Sequence, residues 1–103
     1  MKGMNDLMRQ AQIMQKKLLE SQKALDQKRI EAASGGGMVT ATVTGGLELV
    51  AIKIDKAAVD PNDVDMLQDL ILAAVNEAVK KAKAMKEEEM AKLTGGMNIP
   101  GLF

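Results

Sequence analysis

Four basic side chains near the N-terminus have the type and spacing needed to contact a phosphate backbone. They are each seven positions apart and so share one heptad position of a helix: Lys2, Arg9, Lys16 and Lys23. At about 1.5 Å per residue they form a stripe roughly 31 Å long, close to one turn of duplex DNA. Basic residues are also common at this most exposed heptad position for solubility alone, so a purely solvated helix face remains the alternative.

The net charge of zero conceals an uneven distribution. Residues 1–32 hold seven bases and four acids, a net charge of +3, whereas residues 33–60 sum to −1 and residues 61–103 to −2. The chain's one aromatic residue, Phe103, cannot supply the stacking platforms that single-strand binding requires, so contact with duplex phosphates is the binding mode left. A second basic cluster lies later in the chain: Lys80, Lys81, Lys83 and Lys86.

The composition excludes most catalytic chemistries. The chain has no His and no Cys. Zinc and iron–sulfur sites built on imidazole or thiolate, thiol redox chemistry, cysteine nucleophiles and Ser-His-Asp triads are therefore excluded. Acid–base chemistry through Asp, Glu or Lys alone is possible but narrow. We accordingly predict a protein that is not an enzyme, with no cofactor, no metal and no small-molecule substrate.

Three motifs that could suggest a ligand site are better explained as structural features. The glycines at 35–37 lead from a helix to a strand and those at 45–46 lie inside a hairpin, so neither run precedes a helix as a phosphate-binding loop requires. The acids from Asp60 to Asp65 lack the glycine and the terminal glutamate of a calcium loop, and helix capping accounts for them. The Glu87–Glu89 run is interpreted as a solvated helix face.

The hydrophobic periodicity predicts two helices separated by a two-stranded hairpin. Residues 4–33 form the first helix, because apolar residues recur there at alternating spacings of three and four without Gly or Pro. Residues 38–55 form the hairpin, with alternating β-branched residues and a two-residue glycine turn. Residues 61–93 form the second helix, with Asp60 as its N-cap. A short tail, residues 94–103, follows.

Two helices of about 30 residues are too long for a compact monomer of this size. Each would span roughly 45 Å, whereas a 100-residue globule has a radius of gyration of ~13 Å. An isolated two-stranded hairpin is also marginal in water. Pairing of two chains would enlarge the sheet and bury the helix seams, so we predict a single α+β domain, residues 1–103, that forms a two-fold homodimer. A helix pair packed on a hairpin within one chain is the alternative.

Targeting signals are not evident in the sequence. The N-terminal segment lacks the apolar region of a signal peptide. No stretch approaches the roughly 18 apolar residues of a membrane span. We therefore expect a cytoplasmic protein with no membrane partner.

Three stretches resemble the YbaB/EbfC family of bacterial nucleoid-associated proteins: GGGMVTATVTGGLELVAIKID, DPNDVDMLQDLILAAVNEAVKKA and TGGMNIPGLF. Their order and spacing match the family, and the basic first helix with its QAQIMQ stretch fits too, so the resemblance covers nearly the whole chain. One difference is at residues 44–46, where many members carry Asn-Gly followed by another residue and Gly. It alters the hairpin tip and leaves the core unaffected.

The resemblance implies an intertwined, tweezer-like α-β-β-β-α homodimer that binds duplex DNA with little sequence preference. A bend that splits residues 47–55 would supply the third strand. Family DNA contacts lie on charged residues of the long helices, which here are first Arg9, Lys16, Lys17 and Lys23, and second Lys80, Lys81 and Lys83. The expected dimer interface comprises Leu7, Met14, Leu18, Val50, Ile52, Leu67 and Ile71.

Two functions from different classes follow. The first is a dimeric protein of the nucleoid that binds DNA phosphates and contributes to nucleoid organisation or gene regulation. The alternative is a non-catalytic dimeric adaptor that binds a protein partner through a Met-rich surface or the C-terminal tail. Salt dependence distinguishes them, since neutralising about four phosphates per arm would lower log K by ~3–4 per tenfold rise in salt.

Overall fold

The computed structural model describes residues 2–93 and confirms an α+β fold with two long helices and a small antiparallel sheet. The predicted tail, residues 94–103, lies outside the described residues. The elements are, in chain order, α1 (Lys2–Gln27), β1 (Arg29–Ser34), β2 (Val39–Thr44), β3 (Leu49–Ile54), a 3-10 turn (Lys56–Ala58) and α2 (Val64–Leu93).

The sheet has β2 at its centre, antiparallel to β1 on one side and to β3 on the other. Ala41 lies opposite Ala32 of β1 and opposite Ile52 of β3. The register of β2 and β3 shifts near the turn, which leaves Val50 without an opposite residue and marks a β-bulge. Within the described residues, the outer edge of β3 pairs with no other strand.

The third strand is not where the sequence analysis expected it. α1 ends at Gln27, so the prediction of a helix to residue 33 is wrong, and residues 29–34 form β1. The 47–55 run is one bulged strand and is not split into two. Ile30 and Ala32 alternate along β1 and pack on the core beneath α2. Pairing with β2 and this packing outweigh the helix propensity of the segment, where the heptad seam was already weak.

The start of α2 also differs from the prediction. α2 begins at Val64, and its N-cap is Asp63, whose carboxylate accepts the Met66 N–H at 3.2 Å. The predicted cap, Asp60, instead accepts the Asn62 N–H at 2.9 Å, while its carbonyl accepts the Asp63 N–H at 2.9 Å. Asp60 therefore closes a turn that precedes the helix.

The core lies between α2 and two of the three strands. Three alanines at one-turn intervals on α2 are fully buried against the valines and alanine of β2. Because these side chains are small, the helix backbone can approach the sheet closely. α2 packs on β1 and β2, and every residue of β3 is left exposed. The fully buried residues of this core are Ala74, Ala78 and Ala82 on α2 and Val39, Ala41 and Val43 on β2.

α1 projects away from this core. Every residue from Gly3 to Lys17 is exposed, and only Leu25 is buried, with Leu18, Ser21 and Asp26 half-buried. The chain measures 76 × 24 × 16 Å and has a radius of gyration of 20.3 Å, well above the ~13 Å of a compact domain this size. Neither helix, over the part that the structure describes, is apolar enough along its length to cross a membrane.

Candidate nucleic-acid interface

The four α1 residues predicted to contact DNA are all exposed. Arg9, Lys16 and Lys23 lie along one line of the helix and span about 21 Å at 1.5 Å per residue. Lys17 is exposed a third of a turn away. The side chain of Lys2, the remaining member of the heptad series, is outside the part of the chain that the structure describes. Three cations on one side of a projecting helix form a surface that a polyanion can reach without obstruction.

The opposite side of α1 is apolar and equally uncovered. Leu7 and Met14, two of the residues predicted to form the dimer interface, are 67% and 43% exposed. Met4 extends this apolar side toward the N-terminus and is also exposed, as is Met8 at its edge. α1 therefore carries a basic face and an apolar face on opposite sides, which permits two partners at once.

The α2 lysines divide into two groups that the sequence did not distinguish. Lys80 and Lys83 lie on the side of the helix opposite the buried alanines and are exposed. Lys81 donates to the carbonyl oxygen of Glu31 at 3.4 Å. Lys86, half-buried, forms an ion pair with Asp26 at 3.5 Å. Lys80 and Lys83 are thus the α2 cations most available to an external ligand.

Both basic helix segments lie toward one end of the sheet. The contacts of Lys81 with Glu31 and of Lys86 with Asp26 place the second half of α2 beside the end of α1. The opposite end carries residues 55–69, which hold five acids and one base, a net charge of −4. The rest of the chain therefore has a net charge of +4. Acidic and basic residues are thus separated in space, which charge sums over sequence segments could not show.

β3 offers a second uncovered surface. Val50 and Ile52, both predicted at the dimer interface, are 39% and 41% exposed. Ile52 and Ile54 lie opposite Ala41 and Val39, so they share the helix-side face of the sheet but are left exposed. The remaining predicted interface residues differ in burial. Leu18 is half-buried at the base of α1, whereas Leu67 and Ile71 are half-buried against the chain's own core.

One residue near this surface was missed from the sequence. Leu47, in the turn between β2 and β3, has a φ of 67°, a left-handed conformation that is costly for a bulky residue, and it is exposed. The turn is not the predicted two-residue glycine turn. Thr44 N–H donates to Glu48 O at 2.9 Å and Leu47 N–H to Thr44 O at 2.9 Å, so three residues form the loop. Leu47 occupies the position where such loops favour glycine.

Comparisons with known proteins found a matching family, similar relatives and a similar solved structure. Residues 1–97 match the YbaB/EbfC DNA-binding family. A nucleoid-associated protein of Alkaliphilus metalliredigens is 55% identical over 101 residues, covering 98% of this chain and 89% of the relative. A nucleoid-associated protein of Clostridium acetobutylicum is 56% identical over 100 residues, covering 97% and 89%. Among solved structures, an uncharacterized protein of Helicobacter pylori aligns with a TM-score of 0.64 and 26% identity, covering 88% of this chain and 91% of that one.

Proposed function

The chain belongs to the YbaB/EbfC DNA-binding family, as its sequence motifs indicated, and we propose that it binds duplex DNA as a homodimer, mainly through phosphate contacts. Its role would be nucleoid organisation or gene regulation in the cytoplasm. The observation that carries the proposal is the exposed line of Arg9, Lys16 and Lys23 on a helix that projects from the core. Lys17 lies beside this line, and Lys80 and Lys83 supply a second set of exposed cations.

Phosphate contact, with little base readout, follows from the residue types available. Long flexible lysines attract a phosphate as point charges and carry no sequence information in that contact. The exposed line of α1 holds two lysines and one arginine, and the described residues include no aromatic side chain to stack on a base. We therefore expect unrelated duplexes of equal length to bind with similar affinity.

A homodimer would cover the apolar surfaces that one chain leaves exposed. An unpaired strand edge with apolar side chains is a template for pairing with another chain. β3 of a second copy could continue the sheet across a two-fold axis, which would cover Val50 and Ile52. The apolar face of α1, including Leu7 and Met14, would pack against the partner, while its basic face stays free for DNA. The half-buried Leu18, Leu67 and Ile71 would complete this interface.

The proposed test is a DNA-binding titration that compares two pairs of lysines. The variant Lys16→Gln/Lys23→Gln removes two charges from the α1 line. The control Lys53→Gln/Lys56→Gln removes two exposed charges near the acidic end of the molecule, so both variants have the same net charge. Each protein is titrated against a short duplex at several salt concentrations, and its sedimentation is recorded to check for a dimer.

We expect the α1 variant to bind at least about tenfold more weakly and to show a shallower salt dependence. The slope of log K against log salt changes by about 0.9 for each phosphate that is no longer neutralised, so the removal of four lysine charges from a dimer would change it by roughly 3–4. The control should bind like the wild type. Equally weakened binding in both variants would indicate a general charge effect and contradict the proposal.

The adaptor function is the other outcome of this titration. A wild-type protein without salt-dependent affinity for the duplex would contradict the DNA-binding function. The exposed Met4, Met8 and Met14 would then be the first surface to test for a protein partner, because methionine adapts to varied apolar surfaces.

A further inference from the structure

The turn between β2 and β3 approaches the last turn of α1 so closely that no side chain fits at position 45. A Cβ added at Gly45 would overlap the carbonyl oxygen of Leu25. Gly46, the next residue, has room, since the nearest atom to its added Cβ is 3.6 Å away. Neither glycine has a positive φ, so position 45 requires glycine for space and not for backbone conformation.

Two backbone hydrogen bonds and one ion pair surround this approach. Gly45 N–H donates to Lys28 O at 2.8 Å, and Gly46 N–H donates to Asp26 O at 3.3 Å. The carboxylate of Asp26 then pairs with Lys86 of α2 at 3.5 Å. We call this group, Gly45 and Gly46 with Leu25–Lys28 and Lys86, the α1 seat. It connects the end of α1 both to the sheet and to α2.

The α1 seat holds one end of a long helix whose other end projects from the core. Residues 3–17 are all exposed, so the described part of the chain does not bury the outer part of the helix. Arg9 is 16 residues from Leu25, about 24 Å along the helix axis. A tilt of about 10° at the seat would therefore move the Arg9 backbone by about 4 Å, which changes the phosphates that its side chain can reach.

We propose that Gly45 is a positioning residue for DNA binding: by allowing the turn to lie against Leu25, it sets the direction in which the basic face of α1 leaves the sheet. The inference rests on the proposed DNA-binding function and adds to it a residue that touches no DNA. A methyl group at position 45 would force the turn and α1 apart by more than about 1 Å and weaken both backbone hydrogen bonds of the α1 seat.

The neighbouring glycines provide a matched pair of variants, Gly45→Ala and Gly46→Ala. The direction of α1 can be measured directly, because the chain has no cysteine and labels can be placed at will. Spin labels at Gln12→Cys on α1 and Asn76→Cys on α2 occupy exposed positions. Labelled chains are mixed with an excess of unlabelled chains that carry the same residues at positions 45 and 46. Each labelled dimer then reports the distance between two labels within one chain. Duplex affinity, salt dependence and sedimentation are measured on the unlabelled proteins.

We expect Gly45→Ala to shift the mean distance between the labels by several ångströms, to lower the duplex affinity about tenfold and to flatten the salt dependence, since fewer cations would reach phosphates. Gly46→Ala should match the wild type in all three. An unchanged distance in Gly45→Ala would overturn the inference. So would a shifted distance with full affinity, or a monomeric Gly45→Ala protein, because loss of the dimer would then explain weaker binding.

A second variant keeps the test open if Gly45→Ala does not fold. Asp26→Asn removes the ion pair with Lys86 and leaves the helix intact, since an acid near a helix C-terminus is unfavourable. We expect a broader distance distribution and weaker DNA binding, although removing a negative charge would by itself strengthen binding. Stronger binding would overturn the inference.

The two proposals fail in different ways. A wild-type protein without affinity for the duplex contradicts the proposed function and overturns the positioning role with it. Salt-dependent wild-type binding that Gly45→Ala reproduces in full overturns the positioning role alone.

Discussion

The hydroxyl of Ser34, at the end of β1, donates a hydrogen bond of 2.5 Å to the carbonyl oxygen of Leu70 in α2, 36 residues away. The next residue, Gly35, also lies against Leu70, since a Cβ there would be 2.7 Å from the leucine side chain. These contacts hold the end of β1 against the first half of α2. Most of β1 lies within the residues that the sequence predicted as the first helix.

The Ser34→Ala variant should lower the free energy of unfolding by about 1 kcal/mol, the net value of one such hydrogen bond. The urea midpoint at fixed protein concentration measures the decrease, since dimerisation would make stability depend on concentration. Ser21→Ala is the control, because Ser21 is also half-buried but lies within α1, where alanine is favourable. Equal decreases in both variants would show that the bond contributes nothing specific.

The close approach of α2 to the sheet depends on the fully buried alanines. Ala78→Leu would insert a large side chain where α2 meets β2, and overpacking of this kind costs about 1–3 kcal/mol. Ala73→Leu, the same change at an exposed position of the same helix, should be close to neutral. Thermal or urea unfolding of both proteins tests the difference. A fully stable Ala78→Leu protein would mean that the helix can move off the sheet without penalty.

The left-handed conformation of Leu47 predicts an inverted ranking of glycine and alanine. Both Leu47→Gly and Leu47→Ala remove the side chain, so their difference reports on the backbone alone. At most positions glycine is the less stable of the two, but here the glycine variant should be more stable by about 1 kcal/mol because only it adopts a φ of 67° without strain. The urea midpoints provide the measurement, and an alanine variant as stable as the glycine variant would contradict the assigned backbone conformation.

Much of the fold followed from local signals that the structure satisfies. Period-two alternation predicted β2 and β3, and glycine runs marked both ends of β2. β1 was missed because Glu31, Ala32 and Ala33 have high helix propensity and polar–apolar alternation covers only the four residues from Arg29 to Ala32. Its strand conformation arises from pairing with β2 and from burial under α2, which are contacts with residues distant in sequence. The helix propensity of a segment does not depend on such long-range contacts and so could not predict them.

The exposure of the candidate residues followed from the sequence, whereas their arrangement in space followed only in part. Heptad spacing correctly indicated that Arg9, Lys16 and Lys23 share one exposed line. Spacing could not show that Lys81 contacts Glu31 while Lys80 is available, since that difference depends on where β1 lies. The requirement for glycine at position 45 was equally hidden. It arises because the backbone of the β2–β3 turn lies against the backbone of α1, whereas the sequence indicated only a turn at that position.

The exposed face of β3 predicts that one charge at its centre abolishes the dimer. Ile52→Asp would place a carboxylate in the proposed interface, where it would be buried without a partner, while in the monomer the same carboxylate faces water. Sedimentation should therefore show a folded monomer. Met66→Asp is the control, because Met66 is similarly exposed but lies in the first turn of α2, where an acid is favourable. A dimeric Ile52→Asp protein would exclude β3 from the interface.

The two groups of α2 lysines predict unequal effects on DNA binding. Lys80→Gln/Lys83→Gln removes two exposed cations on the outer side of the helix, and we expect the affinity to fall roughly three- to tenfold with a shallower salt dependence. Lys81→Gln/Lys92→Gln removes the same charge from the same helix, but Lys81 contacts Glu31 and Lys92 pairs with Glu89 at 4.0 Å.

An ammonium group already engaged within the protein must give up that partner before it binds a phosphate, so its removal costs less affinity. We therefore expect the affinity of the second pair to fall no more than about twofold in a duplex titration at low salt, where surface electrostatics are strongest. Equal effects in the two pairs would show that α2 acts through its total charge. Weaker binding confined to Lys81→Gln/Lys92→Gln would instead place the DNA on the β1 side of the helix, facing Glu31.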